Sequence, residues 1–143
     1  MHRLREVIQQ RRILTAPPNT SVHAVATMMS KGRIGAIAIV EGERLLGIFS
    51  ERDLMTRAVV PRLDLDATPV SEVMTEEVVT AAPDESVDDC VEKMQRIKCR
   101  HLPVVEDGRV TSMVSMRDLL RDELEEQVNE NEHLKAYLHQ TPV

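Results

Sequence analysis

Ser50-Glu51-Arg52-Asp53-Leu54 returns further along the chain as Ser115-Met116-Arg117-Asp118-Leu119. Sliding the sequence along itself until Ser50 faces Ser115 aligns Ile13 to Ala58 with Val78 to Glu123 without a gap. The identities run through the whole overlap: Thr15/Thr80, Ala16/Ala81, Pro18/Pro83, Ser21/Ser86, Met29/Met94, Val40/Val105, Glu41/Glu106 and Arg44/Arg109 are among them. A self-match at one fixed offset marks a duplicated structural unit. With a single gap, Leu4-Arg5-Glu6-Val7-Ile8 also matches Val70-Ser71-Glu72-Val73-Met74, so each repeat is expected to begin with a short helical lead-in.

Within each repeat the hydrophobic period changes in the same order. A short apolar strand (Arg12 to Thr15; Val78 to Thr80) ends at a proline turn. Val22, Val25, Ala26 and Met29, and then Val87, Cys90, Val91 and Met94, recur at i, i+3, i+4 and i+7, which puts one apolar stripe on a helix capped by Ser21 or Ser86. Ile34 to Val40 and Arg44 to Phe49 flank Glu41-Gly42-Glu43, and Leu102 to Val105 and Arg109 to Val114 flank Glu106-Asp107-Gly108, both patterns of a hairpin. A second helix closes each unit, over Glu51 to Val59 and over Met116 to about Gln127. The expected fold class is therefore α/β (α+β), with two tandem β-α-β-β-α repeats. Units this small bury too little alone, so they should pack sheet against sheet around a pseudo-two-fold axis. The boundaries follow as 1–62 with its lead-in helix, a polar linker at 63–69, 70–127, and a helical tail at 128–143. Leu134, Tyr137 and Leu138 lie at helical spacing in that tail, which suits either docking on the chain's own core or contact with another subunit.

Composition narrows the function. Phe49 and Tyr137 are the only aromatic residues, so the core must be aliphatic and methionine-rich and stacking platforms are disfavoured. The net charge of −6 opposes nonspecific nucleic-acid binding. Arg3, Arg5, Arg11 and Arg12 alternate with Glu6, Leu4, Val7 and Ile8 in the pattern of a solvated amphipathic turn. The longest apolar run, Ile34 to Val40, is far below the ~18 residues of a membrane span, and no signal-peptide pattern opens the chain; a cytoplasmic protein is expected. Cys90 and Cys99, set among apolar residues without a CxxC, read as buried small hydrophobes.

Taken together, Ile34-Gly35-Ala36 leading into Ile37-Ala38-Ile39-Val40, Gly47-Ile48-Phe49 followed by the Ser50 motif, Val73-Met74-Thr75, and Arg100-His101-Leu102-Pro103-Val104-Val105 followed by the Ser115 motif resemble the cystathionine beta-synthase (CBS) domain pair, or Bateman module, of the stand-alone bacterial type. The resemblance covers Leu4 to Gln127. It implies a regulatory, non-catalytic module that binds an adenine nucleotide, AMP first and ATP or NAD(H) next, in the clefts between repeats. It also implies a homodimer and an unidentified regulated protein. By the family's pattern Asp118 and Ser115 would act with Thr15, Ala36 and Ile37, and Asp53 and Ser50 with Thr80, His101 and Leu102.

The residues themselves leave two readings of the Ser-x-x-Asp motifs open. A serine with an acid three residues on is a capping box, in which each side chain satisfies a backbone N–H. A carboxylate can also accept from both hydroxyls of a ribose, while the helix start offers N–H donors to phosphate. Arg52, Arg117, Arg100 and His101 could balance that phosphate, or Arg52 and Arg117 could be exposed helix residues and His101 a satisfied histidine at a strand edge. Because Arg100 and His101 align with Gly35 and Ala36, the two clefts are expected to differ, with phosphate binding tightening as pH falls through about 6.5, the ordinary histidine value. No catalytic order and no metal-spaced set emerges among His2, His23, His101, His133 and His139, so neither an enzyme nor a metal site is expected. The rival reading is a ligand-free interaction module.

Overall fold

In the computed structural model, residues 2–8 and 13–140 are described. The expected strand over Arg12 to Thr15 lies partly outside them, and so does Arg11. The elements run α1 (Leu4–Val7), β1 (Thr15–Ala16), α2 (Val22–Gly32), β2 (Ala36–Glu41), β3 (Arg44–Ser50) and α3 (Glu51–Asp53), which widens into a π-helical stretch (Leu54–Val59). After a 3-10 turn (Val70–Glu72) come α4 (Val87–Ile97), β4 (His101–Glu106), β5 (Arg109–Ser115) and α5 (Met116–Gln140). The mixed helix-and-sheet duplication read from the sequence is present, down to details. The Ser21 hydroxyl accepts the Ala24 N–H and the Ser86 hydroxyl the Asp89 N–H. Helices α2 and α4 both end on a left-handed residue, Arg33 and Lys98. Both hairpins shift register at the same aligned step, Ile39/Val40 and Val104/Val105.

The first sheet orders β1-β2-β3, with Thr15 paired to Ala38 and Ala16 to Ile39. The matching strand expected over Val78 to Thr80 does not form. Only Ala81 bridges to Val104, through Ala81 N–H to the Pro103 carbonyl at 3.0 Å and Val105 N–H to the Ala81 carbonyl at 2.9 Å. The reason is chemical: Pro103 stands where the first repeat has Ala38 and has no N–H to continue the ladder. The Thr80 carbonyl instead accepts from the Lys93 ammonium at 3.0 Å, and Lys93 aligns with Met28.

The lead-ins cross over. Leu4 is fully buried in the core of the second repeat with Val87, Cys90, Met94, Leu102 and Leu119, and Val7 and Ile8 pack against that cluster. Val70, Val73 and Met74 complete the core of the first repeat with Val22, Val25, Ile37 and Phe49. Backbone hydrogen bonds fasten each exchange: Leu4 N–H to the Glu85 carbonyl at 2.9 Å, Val70 N–H to the Thr20 carbonyl at 2.8 Å, and reciprocal bonds between Thr75 and Ile48 at 2.8 and 3.0 Å. Each lead-in therefore precedes one repeat and builds the other. A third cluster, of Ala38, Val40 and Val110 with Ile13, Leu45, Val105 and Met113, joins the two sheets. At its margin the Val110 N–H reaches the Glu43 carbonyl at 3.2 Å and Arg109 pairs with Glu43 at 3.0 Å.

One further expectation changes. The second helix of the second repeat does not stop near Gln127 but runs unbroken to Gln140, so the tail is a continuation of α5. Of the two readings open for that tail, docking on the chain's own core finds no support, since Leu134, Tyr137 and Leu138 are all more than half exposed. No helix of the described residues is long and apolar enough to cross a membrane. Cys90 is buried and its thiol is pushed up to about 11 by desolvation first, while Cys99 is half-buried and raised for the same reason.

Candidate functional site

Each Ser-x-x-Asp motif sits where a hairpin's last strand turns into its second helix, and the turn is held alike in both repeats. The Glu51 N–H donates to the Gly35 carbonyl at 3.0 Å and the Met116 N–H to the Arg100 carbonyl at 2.8 Å. The capping reading of the serine is realised twice. Ser50 Oγ accepts the Asp53 N–H at 3.2 Å, and Ser115 Oγ accepts the Asp118 N–H at 3.1 Å. The acids close both boxes by accepting the Ser50 and Ser115 N–H groups at 3.0 and 3.1 Å.

Beyond the cap the two acids part company. Asp53 is 8% exposed, and its carboxylate also accepts from the Ser50 hydroxyl at 3.1 Å and the Thr75 hydroxyl at 3.2 Å, with Arg57 Nε 3.7 Å away. Arg57 is itself fastened by donating to the Met74 carbonyl at 2.9 Å. Asp53 thus ties the start of α3 to the crossing lead-in. Asp118 is exposed, and among the described residues its carboxylate is held only by the Ser115 N–H. One acid is built into the scaffold, and the other is open to a ligand.

The remaining expected residues divide by what they can offer. Ala36, Ile37 and Leu102 are 2%, 1% and 1% exposed, so only their backbone groups could meet a ligand. Thr15 and Thr80 are half-buried, and Thr80's carbonyl is already taken by Lys93, which also pairs with Glu85 at 2.6 Å. Arg52, Arg117 and Arg100 are exposed cations flanking the motifs. His101 begins β4 opposite Ser115 and is half-buried. It lies against the other repeat at Gly35, where a Cβ would stand 3.2 Å from His101 Cε1 and 3.5 Å from Glu51 Oε1, so any larger residue there would crowd the ring and require it to give by a few tenths of an ångström. Burial pushes His101 below 6.5, Glu51 and Asp118 pull it up, and Arg100 pushes it down. A titration centred at 6.5 therefore moves to lower pH in the free protein.

The structure thus brings Ser50 to Asp53, Ser115 to Asp118, and His101 to Gly35 and Glu51 with Asp118 in electrostatic reach. Sequence reasoning missed Thr75, Arg57, Gly35 and Glu51 as members of this ground. Nothing in the spacing of Thr75 in the sequence signals a bond to Asp53. It also missed that folding brings His2 to α5, where Nδ1 bonds the Asp122 carboxylate at 2.9 and 3.0 Å and Glu126 completes a three-residue group. Two surface hollows, one lined by Arg121, Leu124 and Val128 and the other by His2, Asp88 and Glu130, lie along α5, and neither Asp53 nor Asp118 lines them.

A family model described as CBS domain matches residues 4–59 and again 70–125. Among curated proteins, CBS domain-containing protein YhcV of Bacillus subtilis is 34% identical over 107 residues, covering 75% of this chain and 76% of that protein. CBS domain-containing protein CBSCBSPB5 of Arabidopsis thaliana is 36% identical over 110 residues, 76% of this chain, and the match spans only 20% of that protein's length. Among solved structures, a putative signal-transduction protein with CBS domains from Burkholderia ambifaria superposes with a TM-score of 0.80 at 31% identity, over 87% of this chain and 93% of the other. CBS domain protein PAE2072 from Pyrobaculum aerophilum, complexed with AMP, gives 0.76 at 31% identity, over 82% and 89%. The CBS domain pair of protein MJ0100, in complex with 5′-methylthioadenosine and S-adenosyl-L-methionine, gives 0.78 at 27% identity, over 87% and 98%.

Proposed function

The chain belongs to the CBS domain family, and on that premise we propose that it is a regulatory module that holds an adenosine-containing ligand between its repeats and modulates a partner protein rather than catalysing a reaction. The observation that carries this reading is the unequal use of the two motif acids. Asp118 presents an exposed carboxylate able to accept from ribose hydroxyls, beside Arg117, which can balance a phosphate, and His101, which the family's pattern groups with Asp53, lies within electrostatic reach of Asp118 as well as of Glu51. Asp53 spends its oxygens on Ser50 and Thr75. We therefore favour one principal site per chain, organised on Asp118 and Ser115, with Asp53 and Ser50 forming a weaker second one. AMP is the first candidate, in keeping with the AMP complex of the Pyrobaculum aerophilum protein; ATP, NAD(H) and the S-adenosyl compounds of the MJ0100 pair follow. The module also works as a homodimer in this proposal. Met55 and Val59 on the first repeat's second helix are exposed, as are their aligned counterparts Leu120 and Leu124, a repeated apolar face suited to two-fold pairing.

The test is a thermal-shift panel of AMP, ADP, ATP, NAD, NADH, 5′-methylthioadenosine and S-adenosylmethionine. A ligand present at about one hundred times its Kd should add about 2.7 kcal/mol of stability by mass action and raise Tm by several degrees. If every compound leaves Tm unchanged at millimolar concentration, the ligand-free interaction module is the correct reading.

A further inference from the structure

Helix α5 continues as one unbroken helix to Gln140, and every described side chain from Gln127 to Leu138 is exposed. The pattern along it is not random. Leu120, Leu124, Gln127, Asn131, Leu134 and Leu138 follow one another in alternating steps of four and three, the a/d spacing of a heptad. The four leucines are 45%, 63%, 57% and 62% exposed, so this stripe has no cover among the described residues. With Leu124 at an a position, Asn131 is also a and Gln127 d, while Glu130 falls at g and Lys135 at e.

We propose that the outer half of α5 docks on the same helix of a second copy of this chain, the two running parallel and in register as a two-stranded coiled coil with Asn131 facing the partner's Asn131. Charge selects this geometry. In a parallel pair each Glu130 lies beside the partner's Lys135, two attractive contacts across the seam. An antiparallel pair that kept leucine on leucine would set Leu124 opposite the partner's Leu134 and Asn131 opposite the partner's Gln127. It would also put Arg121 beside the partner's Lys135 and Glu130 beside the partner's Glu130, like charges on both flanks. A polar residue at an a position costs stability and specifies two strands and one register, which suits a device for orientation. A helix this short is marginal alone, so the coil acts together with the body of the module. Its consequence is that second repeat must face second repeat in the dimer. The inference goes beyond the ligand reading and stands without it.

The experiment uses the full chain with Cys99→Ser, leaving the buried Cys90 in place, and adds Asn131→Cys. Gentle oxidation at micromolar concentration should convert most of the protein to a disulfide-linked dimer, while Asn129→Cys, on the outer face, should link at a small fraction of that rate. An equal mixture of Leu124→Cys chains and size-tagged Leu134→Cys chains should give only like-with-like links. Mixed links, or Asn131→Cys linking no faster than Asn129→Cys, would overturn the proposal. Independently, Lys135→Glu should weaken the dimer measured by light scattering about fivefold or more, and adding Glu130→Lys should restore it. An unchanged dissociation constant in Lys135→Glu would also refute the pairing. Neither readout depends on nucleotide, so its outcome is separable from that of the thermal-shift panel.

Discussion

Replacing each motif aspartate by asparagine should have two different consequences, although the motifs are the same in sequence. The Asp53 carboxylate is buried and accepts from the Ser50 N–H, the Ser50 hydroxyl and the Thr75 hydroxyl, with Arg57 3.7 Å away. An amide keeps one acceptor oxygen but turns an NH2 group toward donors and loses the charge. Hydrogen bonds to charged groups are worth about 1.5 to 3 kcal/mol each, and one of them is lost outright. Asp53→Asn should therefore cost about 2 to 3 kcal/mol of stability, a fall in Tm of roughly 5 to 10 °C for a chain of this size. Asp118 is exposed and, among the described residues, makes only its capping box, so Asp118→Asn should cost at most about 1 kcal/mol. For affinity the order reverses. Asp118→Asn should weaken AMP about 10 to 150-fold, the worth of a charged acceptor of ribose hydroxyls, while Asp53→Asn, measured well below its Tm, should weaken it less. Urea unfolding and calorimetric titration of both variants decide the matter. Equal losses of stability, or an Asp118→Asn protein with undiminished AMP affinity, would refute the division of labour drawn between the two acids.

Two histidines should shape stability with opposite slopes against pH. His101 is held below 6.5 by burial, so from 6.5 downward the unfolded chain takes up a proton that the folded one resists; its contribution is present above 6.5 and is lost as pH falls. His2 is raised, first by its hydrogen bond to Asp122, so its contribution is present below 6.5 and is lost as pH rises through its folded value. Urea midpoints should peak near 6.5, with His101→Ala flattening the slope just below it and His2→Ala the slope above it; unchanged profiles would contradict both placements. Leu4→Ala should cost about 2 to 5 kcal/mol, because the side chain fills the second repeat's core. If lead-ins served their own repeats, hydrogen exchange in this variant would quicken around Val22 to Gly32; it should instead quicken around Val87 to Ile97.

The repeat, its helices and its hairpins were legible because periodicity and offset are properties of the chain itself. What escaped was what depends on partners distant in sequence. Val78 to Thr80 has the composition of a strand, but a ladder needs an N–H on the facing residue, and Pro103 supplies none. The division of α5 into a helix to about Gln127 and a separate helical tail is not upheld, because the helix continues unbroken on a stripe with no cover among the described residues. The Ser-x-x-Asp motifs were legible as candidates, but not their inequality, since Thr75 and Arg57 reach Asp53 only after the lead-in has crossed over.

That crossing bears on how such a molecule could have arisen. A single ancestral repeat, with its lead-in reaching outward, would have an incomplete core until it accepted the lead-in of a second copy and gave its own in return. Two separate copies would thus have met first as an exchanged pair, each finishing the other. Fusing two such copies through a segment like 63–69 would turn an encounter between molecules into one within a chain and leave the exchange in place. The fused halves are no longer separable by sequence order. A cut in that segment would release two pieces that each carry part of the other's interior, and that could complete their cores only by coming back together.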